Sequence, residues 1–67
     1  MGCYLKVKNQ PFFLYRGNKV ERKSQATYYL NAYSAETMQI RWEAAHKGQK
    51  LEIRKWQSDE LIVRPKT

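Results

Sequence analysis

A chain of 67 residues with one cysteine and one histidine has no disulfide and no metal cluster to staple it, so its fold must be held by apolar packing alone. A domain of this size buries only about 60% of the surface its unfolded chain exposes. That leaves room for one domain and one economical core. Leu, Ile, Val and Phe number 13, which borders on the composition of a disordered charged chain, but five Tyr, two Trp and two Met add the missing apolar bulk. The expectation is a folded single domain over 1–67 in which aromatic residues carry much of the packing.

Cys3 cannot pair within the chain, which fits a reducing compartment. No apolar run approaches the ~20 residues needed to span a bilayer, and "MGCYLK" lacks the basic-then-apolar layout of a secretory leader. Gly2 and Cys3 sit where a doubly acylated N-terminus would have them, but Lys6 stands where the acylation pattern wants Ser or Thr, so these residues read as the start of a strand. A cytoplasmic protein without membrane attachment is expected.

The formal charge is +7, unevenly spread. Residues 1–33 hold Lys6, Lys8, Arg16, Lys19, Arg22 and Lys23 against Glu21 alone, whereas the second half nearly balances its charges. A field of this kind raises encounter rates with polyanions and opposes self-association, without specifying a fold.

Alternation of period two marks the strands. In "CYLKVKN" Cys3, Leu5 and Val7 share one face, and Tyr4, Lys6 and Lys8 the other. Gly17-Asn18 reads as a two-residue turn between strands near 12–16 and 19–23, because Gly tolerates positive φ at the first central position. "ATYYLNAY" alternates again, setting Tyr28 and Leu30 against Tyr29 and Tyr33. In the last third, a three-residue turn at 57–59 pairs Trp56 with Glu60, Ile53 with Val63 and Glu52 with Arg64, aligning β-branched residues on one face and opposite charges on the other.

The stretch "TMQIRWE" also alternates, yet its surroundings carry helix ends: Ser34 as an N-cap, Lys47 in the last turn and Gly48 just beyond. Residues 35–47 favour helix by propensity, and Ala35, Met38, Trp42 and Ala45 form one stripe with Ile40 opposite. The resulting expectation is α+β: a mostly antiparallel sheet of four or five strands, one helix over about 35–47 packed on a face, and a C-terminal hairpin. Strand at 37–43 would instead give an all-β small barrel.

Enzymatic chemistry finds little foothold. His46 lies at the helix end, where it caps carbonyls and suits the macrodipole, and a ribonuclease-like site would rest on it alone. The three glycines are isolated, so no phosphate loop is formed, and no cofactor or metal is expected. What remains is a basic, aromatic surface. Three candidate patches follow: Arg54, Trp56 and Arg64 on the outer face of the hairpin; Arg16, Lys19, Arg22 and Lys23 at the tip; and Tyr29 and Tyr33 beside Lys6 and Lys8 if their strands share a sheet. Such a surface suits a non-enzymatic module that holds phosphates with its cations and stacks bases on its rings. The competing expectation is a small inhibitor or adaptor, of the kind phage-like mobile elements encode, that covers an acidic or nucleic-acid-binding surface of a host nuclease or polymerase, with Ile40, Ile62 and Trp56 as anchors. Trp56 could also fold over the sheet as a second small core with Tyr29 or Tyr33.

Overall fold

The computed structural model describes residues 2–62, and in it the chain is α+β. Strands β1 (Cys3–Val7), β2 (Phe13–Tyr15) and β3 (Asn18–Val20) are followed by a single 3-10 turn, the helix α1 (Ala32–Ala45) and the strand β4 (Leu51–Lys55). They form one antiparallel sheet in the order β3-β2-β1-β4, with α1 across one face. The sheet stays open, so the barrel alternative fails.

Strand β1 is central, and the alternation read from its sequence is what orients it. Cys3, Leu5 and Val7 point inward to Leu14 of β2, Leu51 and Ile53 of β4, and Ala35 and Trp42 of α1. All are nearly inaccessible to water, and Trp42 is 4% exposed. The Trp42 indole N–H donates to the carbonyl of Gly17 at 3.0 Å, tying the helix to the β2–β3 turn.

α1 starts three residues before the expected Ala35. Asn31, not Ser34, is the N-cap: its side chain accepts from the Ser34 N–H at 2.9 Å. The helix also ends earlier, at Ala45, where the His46 N–H closes on the Trp42 carbonyl and Gly48, with φ +88°, reverses the chain. The His46 ring stacks on Trp42 at 4.0 Å between centroids, and its Nδ1 lies 3.0 Å from the Trp42 carbonyl, the geometry of an N–H donor. Two helix side chains then secure the exposed edge of β4: Gln39 donates to the Leu51 carbonyl and Glu43 accepts from the Leu51 N–H, both at 2.8 Å.

Three expectations require correction. The β2–β3 turn is Arg16-Gly17, one residue earlier than expected, with φ of +49° and +86°. Positive φ at both central residues is the type I′ geometry that matches strand twist. The expected turn would have opposed Arg16 and Lys19, a like-charge pair; the observed register pairs Tyr15 with Asn18 and Leu14 with Lys19. β3 accordingly ends at Val20, before Arg22 and Lys23.

"ATYYLNAY" is not a strand. It contributes one bridge, Tyr29 to Cys3, before α1 begins. The third correction concerns the C-terminal return, which is shifted by one residue. Lys55 N–H donates to Glu60 at 2.9 Å, Arg54 bridges Leu61, and Ile62 N–H donates to Ile53 at 2.8 Å. The loop therefore holds four residues, 56–59, because the Trp56 N–H is engaged by the Gly2 carbonyl at 3.0 Å and cannot pair with Glu60. The shift turns Ile62 onto the core and leaves Leu61 exposed, the reverse of the expected faces. The expected partners Val63 and Arg64 lie outside the described residues.

Candidate functional site

The face of the sheet away from α1 carries its own packed layer. Tyr4 alternates with the core residues and was expected outside with Lys6 and Lys8, yet it is only 2% exposed. Its ring lies 5.6 Å from Phe13 and 5.7 Å, edge-on, from Trp56. Trp56 in turn meets Tyr28 edge-on at 5.5 Å. The second small core therefore forms, with Tyr28 and Tyr4 as partners of Trp56 rather than Tyr29 or Tyr33.

Register explains the exchange. Tyr29 bridges Cys3, so the two share a face, and Tyr29 packs against the inner core instead of joining Lys6 and Lys8. Burial pushes its hydroxyl pKa up. Tyr28, its neighbour, then falls on the outer face. Tyr33 stands in the first turn of α1, 78% exposed and away from the sheet.

Lys23 leaves the expected tip patch to enter this layer. Its ammonium lies 5.1 Å from the centroids of both Tyr4 and Trp56, donates to the Trp56 carbonyl, and pairs with Asp59 at 2.7 Å. Asp59 also accepts from the Tyr4 hydroxyl at 2.6 Å. The hydrogen bonds from Lys23 and Tyr4 hold the Asp59 carboxyl below its usual range, whereas burial and the carboxylate beside it push the Tyr4 hydroxyl well above its own. Arg54 is likewise committed: Glu52 takes its Nε and Nη2 at 3.1 and 2.9 Å, and the Asp59 carbonyl takes Nη1 at 2.8 Å. Lys55 pairs with Glu60 at 2.8 Å. The cations nearest the aromatic layer thus have partners within the fold.

At the far end of β1 the arrangement is different. Lys6 donates to the Gln10 carbonyl at 2.9 Å and Lys19 to the Gln10 side-chain oxygen at 3.1 Å, both neutral acceptors, and Lys19 also lies 5.6 Å from the centroid of the Phe12 ring. The Lys8 N–H donates to Lys50, 2.8 Å away, so these two lysines stand side by side where β1 and β4 leave the ladder. Neither ammonium pairs with a described residue. Between the β1–β2 turn and the α1–β4 loop lies a shallow concavity of about 330 Å³, lined by Lys8, Asn9, Gln10, Gly48, Gln49 and Lys50. The side-chain oxygen of Gln49 is buried there without a protein partner. Asn9, with φ +65°, and Gly48 supply the left-handed turns that bring the two loops together.

The remaining expected residues are dispersed. Arg16 lies over the Tyr15 ring, 5.4 Å from its centroid, and Arg22 is exposed beside the 3-10 turn. Arg64 lies outside the described residues. Lys50, Gln10 and Gln49 escaped the reading of the sequence, since only the β1–β4 pairing carries Lys50 to Lys8, and that neighbourhood spans most of the chain. Among the described residues no group of acidic, histidine or cysteine side chains could hold a metal, and no helix is long and apolar enough to cross a membrane. Burial pushes the Cys3 thiol up, away from a reactive thiolate.

Comparison with known proteins gives no match: no protein family, curated protein or solved structure is similar to this chain.

Proposed function

We propose that this protein is a non-enzymatic module that binds the phosphate backbone of nucleic acid through the lysine cluster at the β1–β2 turn end. One observation carries the reading: Lys8 and Lys50 line one concavity, and Lys6 and Lys19 are bonded to Gln10, which lines it with them, so four lysines gather at this end of β1 with none of their ammonium groups paired to an acid among the described residues. Lysines are compact point charges that suit non-directional phosphate contact. Gln10, Gln49 and Asn9 add uncharged donors that fix the position of a strand without reading its sequence. Arg16 and Arg22 extend the positive field along the β2–β3 side.

Affinity for a labelled single-stranded oligonucleotide, followed by fluorescence anisotropy against salt concentration, tests this directly. Four phosphate contacts predict a log–log slope of about −3, from ~0.7 per contact on a single strand. Salt-insensitive binding, or none at low ionic strength, would overturn the proposal.

A protein partner is the second reading, and the exposed Leu30, Tyr33 and Ile40 favour it, at 76, 78 and 59% exposure. Tyr33 and Ile40 are two helical turns apart and share a stripe of α1. Of the anchors expected with Ile40, Ile62 packs on the core, and Trp56 packs in the outer layer on the face of the sheet away from α1. Capture of a protein from lysate that survives nuclease treatment and is lost in Tyr33→Ala with Ile40→Ala would favour this reading over the first.

A further inference from the structure

At the opposite end of β1 from the lysine cluster, Gly2 lies beneath the meeting point of Tyr28 and Trp56. The Trp56 N–H is held by the Gly2 carbonyl, and Tyr28 precedes the Tyr29–Cys3 bridge, so the two aromatic residues flank the N-terminal end of β1. A Cβ on residue 2 would lie within the Tyr28 ring, so the rings can meet here only over a glycine. Beside them opens a cavity of about 360 Å³, lined by Gly2, Tyr28, Lys55, Trp56, Gln57 and Ser58 and more apolar than polar.

We propose that this cavity takes one unpaired nucleobase of the strand whose backbone the lysine cluster holds; the inference therefore rests on the function proposed above. The volume suits a single heteroaromatic ring system, at the small end of ligand sites. Trp56 is braced against Tyr4 at 89° and Tyr28 at 74°, and its carbonyl is held by Lys23, so it offers a fixed aromatic surface that needs no ordering on binding. Tyr28 is 51% exposed and lines the cavity beside Trp56, so its ring borders the space a base would take. The Gln57 amide presents a donor and an acceptor in one plane, the complement of a base edge, and the Ser58 hydroxyl stands beside it. A base in a duplex has both faces covered and its edge paired, so the cavity selects single strands. The two sites lie about 20 Å apart along β1, at ~3.3 Å per residue, a span a few nucleotides cover.

Intrinsic fluorescence reads the cavity, because Trp42 is sealed in the inner core and only Trp56 can meet a base. The probe is a single-stranded oligothymidylate, set against an abasic oligonucleotide of the same length and charge. The expected result is quenching by the first alone, with affinity higher for the base-bearing strand. Tyr28→Ala should weaken that binding by about 5- to 150-fold with the salt slope unchanged. Gln57→Ala, at an exposed loop position, should weaken it less. Gly2→Ala, which displaces Tyr28 while deleting no lining group, should abolish the quench. Equal affinity for both strands with no change in fluorescence would overturn the base site and leave backbone binding standing. Failure of both strands to bind would overturn the two together.

Discussion

The two ends of β1 both carry cations, and they use them in opposite ways. Around Tyr4 and Trp56, Lys23, Arg54 and Lys55 are spent on Asp59, Glu52, Glu60 and ring faces. Around Gln10, Lys6, Lys8, Lys19 and Lys50 pair with no acid among the described residues: Lys6 and Lys19 bond to Gln10, and Lys19 also lies over the Phe12 ring. Charge in a sequence is therefore a poor guide to charge on a surface: what decides it is which cations meet an acid, and the fold gives Asp59, Glu52 and Glu60 to Lys23, Arg54 and Lys55. The inner face of the sheet sets the scale of stability for both.

That scale gives the largest expected effect. Trp42→Ala removes the side chain that joins α1 to the sheet and to Gly17, and should cost about 3–5 kcal/mol in chemical denaturation, close to the whole stability of a domain this small. Trp56→Ala empties a half-covered layer instead and should cost roughly 2 kcal/mol. Equal losses would mean the outer layer is packed as tightly as the inner core. Lys23→Ala, which deletes two ring contacts and a partly exposed ion pair, should cost about 1 kcal/mol, while Lys8→Ala should stay within about 0.5 kcal/mol. If the two lysines cost the same, the contrast between the ends is lost. Arg16→Asn, which places Asn-Gly in the type I′ turn, should stabilise by about 0.5 kcal/mol and remove one open charge.

Proton linkage gives a smaller effect confined to the aromatic end. Tyr4 has a raised folded pKa, so its contribution is complete below about pH 10 and declines as pH rises past that value, where the unfolded tyrosine ionises first. Asp59 has a depressed folded pKa, so its contribution is present above about pH 3.8 and declines as pH falls through the folded value. Denaturation midpoints across pH should narrow at both limits, and Tyr4→Phe should weaken the alkaline dependence; Tyr29, also raised, keeps part of it.

The parts of this arrangement visible in the sequence are those with a local cause. Cys3, Leu5 and Val7 announce a strand by alternation, and the helix shows in propensity and in Gly48 beyond its end. Asn31 and Ser34 are equally good caps, and only the Tyr29–Cys3 bridge decides between them by fixing where extended chain stops. Turn positions slipped by one residue twice, because one position of Gly17 separates two turn types and because Trp56 was claimed by Gly2 across the whole length of the chain. Tyr4 misled for a similar reason: alternation assigns it to the outer face but cannot show that Phe13, Tyr28 and Trp56 cover that face. Of the residues proposed to bind, Lys6, Lys8 and Lys19 are legible as charge, and Lys50 is not, because its place depends on the β1–β4 pairing.

Salt dependence of oligonucleotide affinity in two double variants of equal charge tests the central contrast most directly. Lys8→Gln with Lys50→Gln removes two open cations, and Arg54→Gln with Lys55→Gln removes two that are paired within the fold. The first should flatten the log–log slope by about 1.4, at ~0.7 per contact, and the second should leave it unchanged. Equal flattening in both would show that binding follows net charge alone and would contradict the assignment of the lysine cluster.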